Sequence, residues 1–448
     1  VDGFLGGILM KKNICLFLLF VFILGATAAA CRGETESPVD IVLPPETAEV
    51  YIAKEPTPTP VTATPEPTPD IYEKLPGKIA IIPDGYEYRN GYGQVFFSIK
   101  EIVAKYGREN TVIVTLPDYY YRDMEEKLAS MINSIAKNPE IKVLIISPAN
   151  PGTDYIVSIL RELRDDIFIV YTEHTTYDEA DYPLLRNTVP EAAAKANLIL
   201  NFNHIEASNK YPVQAKKLGA KTLAYFYGDY SDFYYDYNEY ENYKKTVTSE
   251  RNMLRAICRE NNLKLVEVDG LEQVQCGSSA NQYLSDTIPP LIDKYGKDIV
   301  FAFFEEWRLF GYCTSLGAIY LSSFEDPLTI AGWLGVDTTI NHNEEEIADV
   351  VEDIKKALEE QGMLGRVASS PVSIPKMFTH AAADYGVKWM KGEVPQEGID
   401  VEVLEQCMAE YIFEYSGTEI GVICTPLVEN GVTYENYLLV IPDDYLIY

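Results

Sequence analysis

The sequence predicts an α/β protein of two Rossmann-like lobes, each a parallel sheet flanked by helices, joined by multiple crossovers. Three observations predict it. From Lys78 onward, short runs rich in Val, Ile and Leu alternate with segments of helical period. Those apolar runs are continuous rather than alternating, as expected of strands covered on both faces. The body from Gly77, about 370 residues, is long enough for two cores, and 47% of the chain is hydrophobic, which excludes a disordered protein.

Taken in order, Met10–Cys31 (MKKNICLFLLFVFILGATAAAC) reads as a leader. Lys11 and Lys12 precede an apolar run and then small residues, the grammar of a secretory signal. The run is too short for a membrane span of about 20 residues. Val1–Leu9 lie upstream of the natural-looking start at Met10. The stretch ending at Cys31 resembles a bacterial lipobox, with Ala28 where that motif usually has leucine; the resemblance implies a lipid on Cys31 and an exported, membrane-anchored protein at the cell surface or in the periplasm. Ala28-Ala29-Ala30 also fits an ordinary signal-peptidase site, which would release a soluble protein. Residues 32–76 hold EPTPTPVTATPEPTPD at Glu55–Asp70. Alternating Pro and Thr favour extended polyproline II, a semi-rigid spacer.

The first series predicts strands over Lys78–Ile82, Thr111–Leu116, Lys142–Ser147 and Ile167–Thr172. Helices are expected over about Gln94–Tyr106, Met124–Ala136 and Asp154–Arg164. Met124, Leu128, Met131, Ile132 and Ile135 form one helical face. The second series predicts strands over Leu198–Phe202, Thr222–Tyr227, Lys264–Val268 and Ile299–Phe304, with helices over about Tyr211–Leu218, Thr246–Asn262, Tyr283–Tyr295 and Phe310–Leu321. A helix over Asn343–Glu360, a strand over Arg366–Val372, a helix over Met377–Met390 stopped by Gly392, and strands over Glu419–Thr425 and Tyr437–Ile441 complete the chain. The expected division is a lobe of residues 77–180 with a return segment of about 328–395, and a lobe of 181–327 with a tail of about 396–448.

KIAIIPDGYEYRN, KVLIISPANPGTD and IFIVYTEH, with RVASSPVSIPKMFTHAAADYGVKWMKGEVP late in the chain, resemble the type 1 periplasmic binding proteins. They stand where that family has its first, third and fourth strands and its penultimate strand and helix. The sequence also resembles an uncharacterised family of clostridial-type lipoproteins with this fold. Tyr177–Pro190 and the tail after Gly398 depart from the usual transporter receptors. The resemblance implies a solute-binding protein that closes on a small ligand, with an ABC permease or a sensor as partner.

In such sheets, ligands bind beyond the carboxyl ends of the strands. The loops there contain Asp84, Tyr86, Asp118, Tyr119, Ser147, Asn150, Asp154, Glu173 and His174 in the first series. The second adds Asn203, His204, Tyr227, Asp229 and Glu305, with Trp307 close by. Arg89 and Arg122 are the only basic residues in such loops between Asp84 and Asp154. Carboxylates and aromatic faces suit a neutral sugar or nucleoside, or a cation, and suit phosphate poorly. Gly228–Lys245, with six tyrosines and five acids, is either an aromatic rim for such a ligand or an acidic surface loop.

The charge agrees with that direction. Against 68 acidic residues stand 37 basic ones, a formal charge of -31 that disfavours nucleic acid. Cys258, Cys276, Cys313, Cys407 and Cys424 show no metal-ligand spacing and read as buried thiols, with one or two disulfides open to them. His174 and His204, ending strands expected in different lobes, could meet at a metal only if they faced each other; no metal or other cofactor is expected. Adjacent Glu305 and Glu306 cannot flank one bond as glycoside hydrolysis requires, and no nucleophile motif or P-loop is present, so an enzyme is not expected. The alternative to solute binding is a surface interaction or structural lipoprotein that kept the fold without a ligand pocket.

Overall fold

The computed structural model describes residues 72–83, 93–116, 124–176, 187–227, 237–270, 278–302, 307–336 and 344–448. Tyr72–Tyr448 forms one compact unit. The leader, Cys31 and most of the Pro/Thr segment lie outside the described residues.

Two sheets organise that unit. The first contains β1 (Lys78–Pro83), β2 (Thr111–Ile113), β3 (Ile141–Ser147), β4 (Phe168–Thr172), β5 (Leu198–Phe202), β11 (Val422–Glu429) and β12 (Val432–Pro442). Its order is β11-β12-β5-β4-β3-β1-β2, parallel except for the β11–β12 pair. The second contains β6 (Thr222–Tyr227), β7 (Lys264–Asp269), β8 (Ile299–Ala302), β9 (Ile319–Leu321), β10 (Val367–Ser369) and β13 (Leu446–Ile447), ordered β13-β10-β9-β8-β6-β7. Read in their own numbering, five strands of each sheet share the doubly wound order 2-1-3-4-5. The expected fold class is therefore the observed one.

Helices cover both faces: α1 (Gln94–Tyr106), α2 (Met124–Lys137), α3 (Thr153–Leu163), α4 (Val189–Lys195), α5 (His204–Lys217), α6 (Tyr237–Glu260), α7 (Ser278–Tyr295), α8 (Trp307–Leu316), α9 (Pro327–Leu334), α10 (Glu344–Glu360), α11 (Ile374–Lys391) and α12 (Val401–Ser416). On the first sheet, Ile79, Ile81, Val143 and Val170 face α1, α11 and α12, while Ala80, Ile82, Leu144 and Ile169 face the α2–α4 side. This two-sided burial is why the strands read as continuous apolar runs. Local signals set the ends: Asp326 caps α9 through the Thr329 amide, Asp400 caps α12 through Val403, and Gly392 ends α11 in the left-handed conformation.

The division of the chain differs from the expected one. β5 pairs with β4, so the first lobe runs past residue 180 to Phe202. The tail does not follow the second lobe: α12, β11 and β12 build onto the first, and only β13 returns to pair with β10. Within 328–395, α10 and β10 belong to the second core and α11 to the first. The expected Phe310–Leu321 helix stops at Leu316, and Gly317 at positive φ turns the chain into β9. The chain thus crosses between sheets three times: through α5, between β10 and α11, and between β12 and β13.

The first and last crossings are tied together. Lys210 of α5 donates to the carbonyls of Pro442 (3.0 Å) and Asp443 (2.8 Å), and Gln214 and Lys217 reach the Asp444 carboxylate. Tyr445 donates back to the Ala207 carbonyl, and Tyr211 meets Ser323 beyond β9 at 2.9 Å. Beside the middle crossing, the Lys376 and His380 side chains, each only 1% exposed, both reach Glu101, at 2.6 and 2.9 Å. Tyr411 donates to the same carboxylate and stacks on His380. Burial alone would raise Glu101, but the His380 hydrogen bond and the Lys376 charge hold it below the usual carboxylate range. Removing one partner leaves a buried charge uncompensated, so Glu101→Gln should cost about 3–5 kcal/mol, and the paired replacement E101L/K376M clearly less than the sum of its single changes. Urea unfolding of the four proteins checks this.

Candidate ligand-binding site

With the order 2-1-3-4-5 in both lobes, the place for a ligand is beyond the carboxyl ends of the strands. The described part of that region comprises the segments after β3, β4 and β5 in the first lobe and after β9 and β10 in the second, with the first residues after β2 and β7.

Asn187 holds the first-lobe segments together. Its Nδ2 donates to the carbonyls of Ala149, Asn150 and Thr175, and its Oδ1 accepts from the Asp154 amide. Three carbonyls from two loops thus converge on one buried side chain. Asp154 is buried, accepting from Tyr171 Oη at 3.1 Å and from the Thr188 amide at 3.4 Å. Burial pushes its carboxyl up to about 6 in spite of those bonds. It fixes the start of α3 against β4 and the start of α4. Ser147 is likewise internal: its Oγ accepts from Thr172 Oγ1 at 2.8 Å and lies 2.9 Å from Thr379 Oγ1, joining β3, β4 and α11.

His174 sits directly beyond β4. Its ring lies parallel to Tyr171 at 5.9 Å and edge-on to Tyr437 at 5.8 Å. Glu173, half-buried at φ 50°, makes the turn that brings it there, and the Glu173 amide is held by the Leu200 carbonyl. Burial pulls the His174 imidazole down to about 4, so it is neutral at physiological pH.

The remaining candidates divide. Asn203 caps α5, accepting from the Glu206 amide at 3.0 Å. The exposed His204 stands edge-on to Phe202 and stacks on Phe324, which follows β9 in the other lobe. Tyr227 carries the Arg251 guanidinium over its ring at 3.9 Å, beside the Arg251–Glu267–Arg255 cluster. Thus Ser147, Asn150, Asp154, Glu173 and His174 come together at the ends of β3 and β4, Asn203 and His204 stand at the first crossing, and Tyr227 lies in the second lobe. Asp84, Tyr86, Asp118, Tyr119, Asp229 and Glu305 lie outside the described residues.

The expectation that His174 and His204 stand in different lobes is corrected by the β4–β5 pairing, which puts both in the first. They also occupy opposite faces of its sheet, His174 beside Tyr171 of the α2–α4 side and His204 beside Phe202 of the α1/α11/α12 side. Among the described residues no His, Cys, Asp and Glu side chains gather as metal ligands.

The second lobe contributes residues that sequence reasoning passed over. Ser322, Ser323, Glu325 and Asp326 follow β9 and are buried, and the Asp326 carboxylate accepts from Tyr415 of α12 at 2.5 Å. Trp307, already singled out in the sequence, begins α8 half-exposed, with the Arg308 guanidinium 4.7 Å from its ring. The signal for the segment after β9 was absent because the strand itself was read as helix.

A family model described as "protein of unknown function (DUF3798)" matches residues 93–368. The chain belongs to this family. No curated protein matches it. A structure from Clostridium difficile 630, described as a transcriptional regulator, is 18% identical over 83% of this chain and 99% of that one, with a TM-score of 0.63. An arabinose-binding protein, AraP, from Geobacillus stearothermophilus is 11% identical over 70% of this chain and 88% of its own, with a TM-score of 0.39. A sugar ABC transporter structure from Actinomyces odontolyticus ATCC 17982 is 13% identical over 72% and 86%, with a TM-score of 0.37. The paired sheets and triple crossing of this DUF3798 chain are the type 1 periplasmic-binding-protein-like architecture that the sequence resembles.

In this DUF3798 protein Cys258, Cys313, Cys407 and Cys424 are free and buried, and burial pushes all four thiols up, to about 12 for Cys258, Cys407 and Cys424. Cys276 lies outside the described residues.

Asp154 and His174 act oppositely on stability in acid. Asp154, raised by burial from 3.8 to about 6, contributes most below pH 3.8 and loses that contribution as pH rises through 6. His174, lowered by burial from 6.5 to about 4, contributes above pH 6.5 and loses it as pH falls through 4. Acidification from pH 6.5 to 4 should therefore lower the stability of Asp154→Asn more steeply than that of the parent, and of His174→Gln less steeply. Urea midpoints measured across that range distinguish the two.

Proposed function

We propose that this protein is an extracytoplasmic solute-binding lipoprotein whose lobes close on a small ligand. The observation that carries the reading is the pairing of two 2-1-3-4-5 sheets through three crossings, the first and last of them tied to each other. Such a connection lets two rigid lobes rotate while each keeps its own core, the hinge closure used by two-lobed binding proteins. Binding is favoured over reaction because the Asp154 and Asp326 carboxylates are engaged in fixing loops and helix starts, and the four described thiols are buried and protonated. Acidic and aromatic strand ends favour a neutral sugar or nucleoside, or a cation, delivered to an ABC permease or read by a sensor.

The protein should gain several degrees in Tm with at least one member of a panel of hexoses, pentoses, nucleosides, polyamines and amino acids. Absence of any shift would favour the surface interaction lipoprotein.

The leader and Pro/Thr segment give the location. Lipid on Cys31 would anchor the body, and Glu55–Asp70 would hold it off the surface. Expressed in a bacterial host with labelled palmitate, the full chain should incorporate label and Cys31→Ser should not; an unlabelled, exported parent would replace the anchor with release after Ala30.

A further inference from the structure

The hydrogen bonds around His174 fix which ring nitrogen carries its proton. Asn201 Nδ2 lies 3.2 Å from the His174 carbonyl, an atom that only accepts, so the amide end of Asn201 faces this group. The same Nδ2 donates to Tyr437 Oη at 2.9 Å. Among the described residues His174 Nδ1, 3.4 Å away, is the acceptor within reach of the Tyr437 hydroxyl hydrogen, and the hydrogen is placed there. Nδ1 is then the acceptor, and the neutral ring bears its hydrogen on Nε2.

That Nε2 is buried and has no hydrogen-bond partner among the described residues, in a side chain 4% exposed at the carboxyl end of β4. Tyr171 lies parallel to the ring and Tyr437 stands edge-on to it, which sets its orientation. Resting on the reading of the strand ends as a ligand site, we propose that His174 presents a fixed Nε2–H donor to an acceptor oxygen of the ligand. The partner it selects is a hydroxyl, ether or carbonyl oxygen of a neutral compound. An ammonium group, which only donates, has nothing to offer this atom. Of the two ligand classes that the acidic strand ends suit, the uncharged one is therefore chosen. Sequence pattern alone does not reach this choice, because it depends on Asn201 and Tyr437, the latter 263 residues from His174.

The test has two arms. In the first, long-range 1H–15N correlation spectra of 15N-histidine protein, assigned with His174→Phe, should show His174 as the Nε2–H tautomer. Tyr437→Phe should shift it toward a mixture, and an Nδ1–H tautomer in the parent overturns the proposal. In the second, glucose, ribose, adenosine and spermidine are titrated calorimetrically into the parent, His174→Phe and His174→Gln. A neutral compound should bind the parent and weaken at least tenfold in His174→Phe, with part of the loss restored by the amide donor of His174→Gln. Equal binding to parent and His174→Phe overturns the role of His174 while leaving the ligand site standing. Binding of spermidine alone overturns the choice of a neutral ligand. If a wider panel also fails to bind the parent, the ligand site itself falls and the proposal with it, whatever the tautomer.

Discussion

A lysine sealed from water at the first turn of α11 cannot stay charged without a carboxylate beside it, and Glu101 of α1 is that carboxylate. Much of the first lobe follows from this pairing. It fixes α11 against α1, so that Gly386, nearly three turns on, can bring the helix onto β3 with no room for a methyl group: a Cβ there would stand 2.7 Å from Val143 Cγ1. It places Thr379 over Ser147 at the end of β3. It also sets Tyr411 and Tyr415 of α12, the second of which reaches Asp326 in the other lobe. A single buried pair thus relates a sheet face, a strand end and an interlobe bond.

This cluster was not legible in the sequence, and the reason is distance along the chain. His380 has no nearby partner in sequence, and the one it finds lies 279 residues away. Legible features were those fixed by local chemistry: β5 and β6 lie where the apolar runs ended, α1 begins and ends as its period predicts, and α11 stops at its glycine. Assignment of strands to lobes was not local. Nothing in LILNF distinguishes the last strand of one sheet from the first of the next, and only its pairing with β4 decides. β9, three residues following a glycine, is too short for its period to be told from the helix before it.

The same distinction runs through the site. Composition indicated correctly that polar side chains gather at strand ends, but several of them serve the scaffold. Ser147, Asp154 and Asn203 would each have made a plausible ligand contact; each spends its hydrogen bonds on a strand, a helix start or a cap. Asn187, outside the inventory, binds the carbonyls of two of those loops and so determines the surface they present. A strand-end polar residue is informative only once its partners are counted, and among the described candidates that count leaves His174 Nε2 without a hydrogen bond.

The contact of Phe324 with Phe202 and His204 bears on whether the lobes can move at all. An aromatic ring of one lobe against two of the other could fill a cleft. Its surroundings place it elsewhere. Phe202 is the last residue of β5, directly before α5 carries the chain across, and Phe324 adjoins Ser323, which α5 holds through Tyr211. All three rings therefore lie where the chain crosses, among bonds that join the crossings to one another. Rotation displaces groups in proportion to their distance from the axis, so contacts at the crossings change least when lobes open or close. If the lobes close as proposed, this aromatic cluster stands where the closing motion is smallest, and the polar strand ends farther from it move most.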